Sequence, residues 1–542
     1  MPTTRHFFTL ALISISPFLI PDLASADIGS KHQDLHKSDD KPKRDKPSNN
    51  NQPFDFSEVA ETLLQLHSAS IEEHIVQHVD QEYLEALPGF DAYVTAFEEG
   101  DALFEINFNA LDGVGVNVGN GQRFTSIPRL DLDSPEAWAN VFPNRITGPN
   151  GDSCISCHDL PVADGAGGVN DNVIRIDPER KQKGFIERQA PHVFGMGAVQ
   201  LLAEEMTEEL HAIRDDAINR SMETGQAAEA ELVAKNIHFG TLRIRNGEID
   251  VSQVTGVDRD LVVKPFEWKG LTAFVRDFVR GASHQELGMQ ATELVGDSDS
   301  DFDGISNELS VGDITALAIY NAARPRPVTR LELNQISNFL QQDELDRYGL
   351  PLDDASIASI QNGALVFEDM RCSQCHTPAM AIEYPTFSEP SRHEDFRDID
   401  FPAGEEVPLP SIAIQFDLTR EILDNPIPLA SGQTLGQFER IAGQAAIVRL
   451  YGDLKRHDMG KDLAEAIDEG NLGASVFLTE NLWGVGSTAP YLHDGRATTL
   501  GEAILYHGGD ATTSKEFFES ASTTDQKDLI AFLNNLVLYL AP

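Results

Sequence analysis

Cys154-Ile155-Ser156-Cys157-His158 and Cys372-Ser373-Gln374-Cys375-His376 together hold every cysteine of the chain. Cys-x-x-Cys-His is the attachment signature of c-type haem. The two thiols bond the porphyrin, and the adjacent imidazole becomes the proximal iron ligand. A zinc ribbon and a redox dithiol are the alternatives. Paired zinc ribbons place their second Cys pair about 15–20 residues after the first and need no His behind each pair. Here the pairs lie in opposite halves of the chain and each is followed by His. The expected cofactors are therefore two covalently attached haem c groups, held by Cys154, Cys157, Cys372 and Cys375. His158 and His376 are the expected proximal ligands.

Haem c is attached outside the cytoplasm, so an export signal is expected, and residues 1–26 read as one. Arg5 and His6 give a charged start, Phe7 to Ile20 is mostly apolar, and Ala24-Ser25-Ala26 forms a cleavage site before Asp27. The apolar run is shorter than the roughly 20 residues that span a bilayer. Pro17 and Pro21 interrupt it, which argues against an uncleaved anchor. No later stretch reads as a membrane span, and the expected location is the periplasm. Residues 27–53 read as a linker, rich in Lys, Asp, Pro, Ser and Asn.

The 542 residues carry a net charge of −46. The linker holds six basic and five acidic residues, so the acidity belongs to the rest of the chain. Such a field argues against nucleic acid or an anionic membrane as partner. It suits a basic electron-transfer partner, or equally a saline habitat.

Both halves show one local plan. Ile357 to Met370, before the second pentad, has Ile360, Ala364, Leu365 and Phe367 at helical spacing; Tyr93 to Phe104 precedes the first pentad likewise. Gly113 to Gly121 reads as a loop insertion. Downstream, Ala190-Pro191 and Ala489-Pro490 are turns followed by helical segments. Strand signals are short, at Leu242 to Ile244 and Leu261 to Val263. The expected fold is mainly α: two tandem cytochrome c-like haem domains with long loops. Residues 54–89 form a helical N-terminal extension, 90–335 the first domain and 340–542 the second.

Two such domains in tandem resemble the bacterial di-haem cytochrome c peroxidases and MauG. Leu450 to Asp510 more closely resembles the di-haem oxidoreductase family, whose members are described as peroxidases or thiol oxidoreductases. The matching segments are Tyr451-Gly452-Asp453-Leu454, His457-Asp458-Met459-Gly460, Leu482-Trp483-Gly484-Val485-Gly486, Ala489 to Arg496 and Leu500 to Gly509. The resemblance spans roughly residues 90–542, and is weaker between 105 and 150 and between 205 and 260. In the peroxidase and MauG relatives, the sixth ligand of the second haem lies fourteen residues after the His of the His-Asp-Gly motif. Here that His is His493, and the position is His507. The resemblance thus implies bis-His ligation by His376 and His507, with His493 beside the haem, unless His507 is a surface helix residue. No His stands where the peroxidases place a removable ligand after the first pentad. His192 and Met196 are the next candidates, and an open iron is the alternative. Glu204 and Glu205 are the general-base candidates by loose analogy, or else a solvated helix face. Trp268 is the candidate aromatic bridge between the haems, or else a core residue.

Asp299-Ser300-Asp301-Phe302-Asp303-Gly304-Ile305-Ser306-Asn307-Glu308 has the spacing of an EF-type calcium loop. Asp299, Asp301 and Asp303 supply carboxylates, Ile305 a backbone carbonyl, and Gly304 the turn. Position 12 is Ser310 rather than Glu, so Glu308 or another group must complete the shell; an acidic surface turn is the alternative. The expected function is a periplasmic di-haem oxidoreductase of cytochrome c peroxidase type. Electrons would pass from the C-terminal haem to a catalytic N-terminal haem. The expected donor is a small redox protein, a cytochrome c or cupredoxin, and the substrate a hydroperoxide or another small molecule. The alternatives are a non-catalytic di-haem electron carrier and a MauG-like or rubber-oxygenase-like oxidase.

Overall fold

Two helices set the frame, each placed just before a pentad. The structure, a computed structural model, describes residues 76–115, 150–169, 173–175, 186–299, 303–396, 410–425, 427–441, 445–466 and 468–541. The expected signal peptide, the linker, residues 54–75 of the N-terminal extension, most of the Gly113–Gly121 loop and Asp301 lie outside the described residues. All described residues belong to one compact unit, Pro53–Pro542.

Helix α1 (Gly89–Glu105) buries Ala92, Tyr93, Ala96, Phe97, Gly100, Leu103 and Phe104, the three-and-four spacing of one helix face. Helix α2 (Met196–Thr224) follows the Ala190-Pro191 turn, starting from Gly195 in the left-handed region at φ 75°. A helical turn α3 (Val275–Ala282) leads into helix α4 (Val311–Ala322), which Ser310 and Asp313 start with a capping box. In the second half, α5 (Asp354–Asp369) precedes the second pentad and packs on α7 (Thr523–Leu533), with the short α6 (Leu500–Tyr506) between them in sequence.

The two helices that precede the pentads share a device. A Cβ on Gly100 of α1 would collide with the Ala316 carbonyl oxygen of α4, and one on Gly363 of α5 with the Asp528 carbonyl oxygen of α7. Glycine lets each pair of backbones close up. Four residues on in each case, an aromatic ring, Phe104 or Phe367, then lines a large cavity.

The fold is not mainly α. Among the described residues there are six small sheets. The largest element of this kind is an antiparallel meander, β1 (Ala228–Ala234), β2 (Ile237–Arg245) and β3 (Glu248–Val254). Leu232, Ala234, Phe239, Leu242 and Ile244 are its buried side, and β1 and β2 contact α2. Most other strands are two to four residues long, too short for a period-two pattern to stand out in sequence. Leu242–Ile244 lies within β2; Leu261–Val263 is irregular, with Leu261 at φ 66°.

The main core crosses the middle of the chain. It joins residues of α1, α2 and α4 to Met380, Phe387, Phe416 and Trp483 of the second half. Tyr93 of α1 stacks on Phe416 at 4.6 Å and 15°. A separate cluster of Val366, Phe367, Met370, Leu500, Phe518, Leu529 and Phe532 fills the space between α5, α6 and α7. No helix among the described residues is long and apolar enough to cross a membrane.

Candidate functional site

The two pentads open onto two cavities of about 1710 Å³ each, counted out to their mouths. The second cavity is the more completely equipped. Arg371 (φ 62°) ends α5, and Cys372–Gln374 makes a single turn into it. His376 lies inside, with Nδ1 on the Tyr451 carbonyl at 3.2 Å. His507, at the end of α6, has Nδ1 on the Ala503 carbonyl at 2.9 Å. Each Nδ1–H is thereby committed to the backbone, and Nε2 is left as the coordinating atom. The two rings face each other with centroids 6.4 Å apart. Two metal–imidazole bonds of about 2.0–2.1 Å, each extended by roughly 1.1 Å to the ring centre, span about 6.2 Å. The observed centroid separation is compatible with a metal held between the two rings.

Burial, aided by the neighbouring His507, pulls the His376 pKa down to about 4, and burial also lowers that of His507. Both are held in the neutral form that ligates. Cys375 lies 4.0 Å from His457 Nδ1, whose Nε2 meets Asp453 at 2.8 Å. Burial opposes the charge on His457, while the hydrogen bond to Asp453 leads the contacts that raise its pKa. Cys375, Asp453 and His457 are spaced like metal ligands. Cys375 belongs to the pentad and lines the second cavity with His457, while Asp453 stands behind His457. The role of Asp453 and His457 within the Tyr451–Gly460 segment could not be read from sequence.

The first cavity holds Cys154, Cys157 and His158. His158 Nδ1 is 3.3 Å from the Gly165 carbonyl, so this imidazole follows the same pattern and offers Nε2. Burial lowers its pKa too. Phe104 packs 5.9 Å from its ring. Met196 also lines this cavity. His192 lines both cavities, but its ring nitrogens are engaged the other way round. Nδ1 accepts from the Phe194 N–H at 3.2 Å, and Nε2 donates to the Trp483 carbonyl at 2.9 Å. Ligation through Nε2 would break that bond. The first cavity thus offers one clear imidazole where the second offers two.

Glu204 and Glu205 line neither cavity. Glu204 accepts from Gln200 at 2.9 Å and Ser391 at 2.7 Å. Glu205 pairs with Lys235 at 2.6 Å and accepts from the Glu383 and Tyr384 amides. Three other carboxyl residues line the first cavity, and one of them, Glu267, accepts from the Thr272 hydroxyl at 2.6 Å. Glu286 sits on a π-turn, Ser283–Leu287, with Oε2 bonded to Asn150 at 2.6 Å. Such turns widen a helix by one residue and recur at functional sites. Glu480 lines both cavities, and burial pushes its carboxyl up to about 7. Neither Glu286 nor Glu480 belongs to a motif; the polar His284-Gln285-Glu286 run in a buried segment was the available signal for Glu286.

Trp268 also lines both cavities. Its indole N–H donates to the Gln189 carbonyl at 2.9 Å, and its own carbonyl accepts from Leu478 at 2.9 Å. The ring meets His493 edge-on at 6.4 Å. His493 lines the second cavity and stacks on Phe477 at 4.3 Å.

In the acidic loop, Asp299 accepts from the Asp303 and Gly304 amides at 3.1 Å, and Asp303 from the Ile305 amide at 2.8 Å. Glu308 is turned to Gln290, accepting from its amide at 2.7 Å and its side chain at 3.2 Å.

A chain with two largely apolar cavities, each lined by the residues of a Cys-x-x-Cys-His turn, has the makings of a di-haem redox protein. Residues 425–536 match the family described as "Di-haem oxidoreductase, putative peroxidase", the resemblance expected from those residues, and the match implies haem as cofactor. A structure titled "Crystal structure of a MauG-like protein associated with microbial copper homeostasis" is similar over 54% of this chain and 76% of that one, at 14% identity and a TM-score of 0.25. No curated protein matches.

Proposed function

We propose that this is an exported di-haem c-type oxidoreductase of peroxidase type, with the Cys154–His158 haem catalytic and the Cys372–His376 haem an electron-transfer centre. The inequality of the cavities carries the reading. The His376 and His507 rings lie across one cavity with centroids 6.4 Å apart, which suits a saturated, electron-carrying iron. Among the described residues, His158 has no comparable opposing imidazole in the first cavity, which suits an iron that a small substrate can reach. When bound, the haems supply the redox chemistry. The chain's own contribution is to orient the imidazoles, exclude water and manage a proton. Glu286, fixed by Asn150, is the group we assign to holding a proton at the oxygens of a hydroperoxide. Trp268, on the wall common to both cavities, is the assigned electron bridge. The donor is a small redox protein with a basic docking face, and the location is periplasmic. We assign the Asp299–Glu308 loop to calcium; chelation with EGTA should lower the melting temperature, and added Ca²⁺ should restore it.

One observation favours the carrier reading: Met196 lines the first cavity and could close it. Electron paramagnetic resonance of the ferric holoprotein separates the two. The peroxidase reading expects one low-spin bis-His haem and one high-spin haem that reacts with hydrogen peroxide, with turnover of reduced cytochrome c. Two low-spin haems inert to peroxide in every redox state would overturn it.

A further inference from the structure

Beside the first cavity lies a buried charge cluster that the proposed reaction does not use. Asp164, Tyr320 and Arg324 are at most 2 % exposed. Arg324 pairs with Asp164 on one side and with Asp424, at 2.8 Å, on the other. The Tyr320 hydroxyl donates to Asp164 Oδ1 at 2.8 Å, and the Arg324 guanidinium lies 4.7 Å over the Tyr320 ring. Arg324 is thus flanked by two carboxylates, the buried Asp164 and Asp424, whose side chain is 22% exposed. Buried ion networks are often no more stable than apolar packing of the same volume, so stability does not account for this one.

Its position suggests what it does. Asp164 immediately precedes Gly165, whose carbonyl faces His158 Nδ1 at 3.3 Å. The turn is clamped by the Leu160–Ala166 bridge and by the Val193 amide on the Asp164 carbonyl at 3.1 Å. Asp164 itself is in the left-handed region, at φ 61°, and its side chain anchors the turn to α4 and to Arg324 just beyond it. The same Tyr320 packs on Phe104 at 5.4 Å, and Phe104 packs on His158 at 5.9 Å.

We propose that Asp164, held by Tyr320 and Arg324, is a positioning residue for His158. It fixes the Gly165 carbonyl that orients the imidazole and sets a negative charge behind it. The first haem is thereby kept at a lower potential than a neutral surround would give. Partners one shell out from the iron and fixed charge near it are known levers on ligand orientation and potential. The inference rests on the reading of His158 as the proximal ligand.

The test is a spectroelectrochemical titration of the holoprotein and two near-isosteric variants. Asp164→Asn removes the charge and should shift the first-haem potential upward. Tyr320→Phe removes the proton donated to the carboxylate and should shift the same haem downward. The second haem should stay put and serves as the internal reference. An unmoved first haem in both variants, or shifts of the same sign, overturns the proposal. If one variant loses haem, the sign found in the other decides. Loss of haem from both reduces the cluster to a packing role and overturns it as well. Failure of the underlying reading looks different: the parent protein itself would carry one haem, by pyridine haemochrome stoichiometry.

Discussion

The imidazoles of His376 and His507 face each other across the second cavity, with ring centroids 6.4 Å apart and planes inclined at 53°. Their Nδ1 atoms are tied to different backbone segments, Tyr451 and the last turn of α6. Two separate segments of the fold thus hold the two rings. His507→Met should keep six-coordination and raise the second-haem potential, by a sizeable part of the about 0.8 V range that axial ligands span. His507→Ala should convert that haem to high spin. Redox titration and low-temperature resonance check both; an unchanged low-spin signal in the Ala variant would show that His507 is not the ligand.

Trp268 bonds Gln189 through its indole and Leu478 through its carbonyl. Trp268→Phe keeps an aromatic ring and gives up one hydrogen bond, a loss of about 1 kcal/mol, so the variant should fold with both haems. Transfer between the haems should slow by at least about tenfold, a barrier change of ~1.4 kcal/mol. Stopped-flow reduction of each haem measures this. Equal rates in variant and parent would return Trp268 to a core role.

How much of this was legible follows from the reach of each signal. The pentads use local spacing, and Cys154, Cys157, Cys372 and Cys375 could be assigned without any tertiary information. Helices α1 and α5 were legible for the same reason, since their buried faces repeat every three to four residues. His507 needed a family spacing, because nothing local ties it to His376. Glu204 and Glu205 were chosen for lying after the right turn, but a 29-residue helix turns every side of itself inward somewhere. The structure turns these two toward Ser391 and Lys235 instead. Glu286 and Glu480 were not legible, because each reaches a cavity through contacts between distant segments. The mixed character of the fold was hidden by strands too short to have a period.

Arg276 shows the cost of a buried network that leans on one central cation. It is 2 % exposed and pairs with Glu293 and Glu389, each 1 % exposed, and it donates to Thr315 at 3.1 Å. Arg276→Met leaves Glu389 buried without its cation and Glu293 with only Arg280, at 3.9 Å, and should cost about 3–5 kcal/mol. The triple variant Arg276→Met, Glu293→Gln, Glu389→Gln should recover most of that loss. Urea unfolding of the three proteins tests the prediction; a triple variant as unstable as the single one would contradict it.

His78 ties the first described segment to α4. Its Nδ1 lies 2.7 Å from Asp313, the residue that closes the capping box of that helix, and the Val79 amide donates to the other Asp313 oxygen at 2.7 Å. The hydrogen bond to Asp313 raises the His78 pKa despite partial burial. A group whose pKa is higher folded than unfolded stabilises most below its unfolded pKa, near 6.5, and loses that contribution as pH rises through the folded value. The side chain is 44% exposed, so solvent screens the pair and the effect on global stability should be small. It should instead appear locally. Hydrogen exchange at Val79, corrected for the intrinsic pH dependence, should show protection falling as pH rises above 6.5, while amides in the middle of α4 keep theirs. His78→Gln should give weaker protection at low pH and abolish the pH dependence; a pH dependence that survives this substitution would assign it to another group.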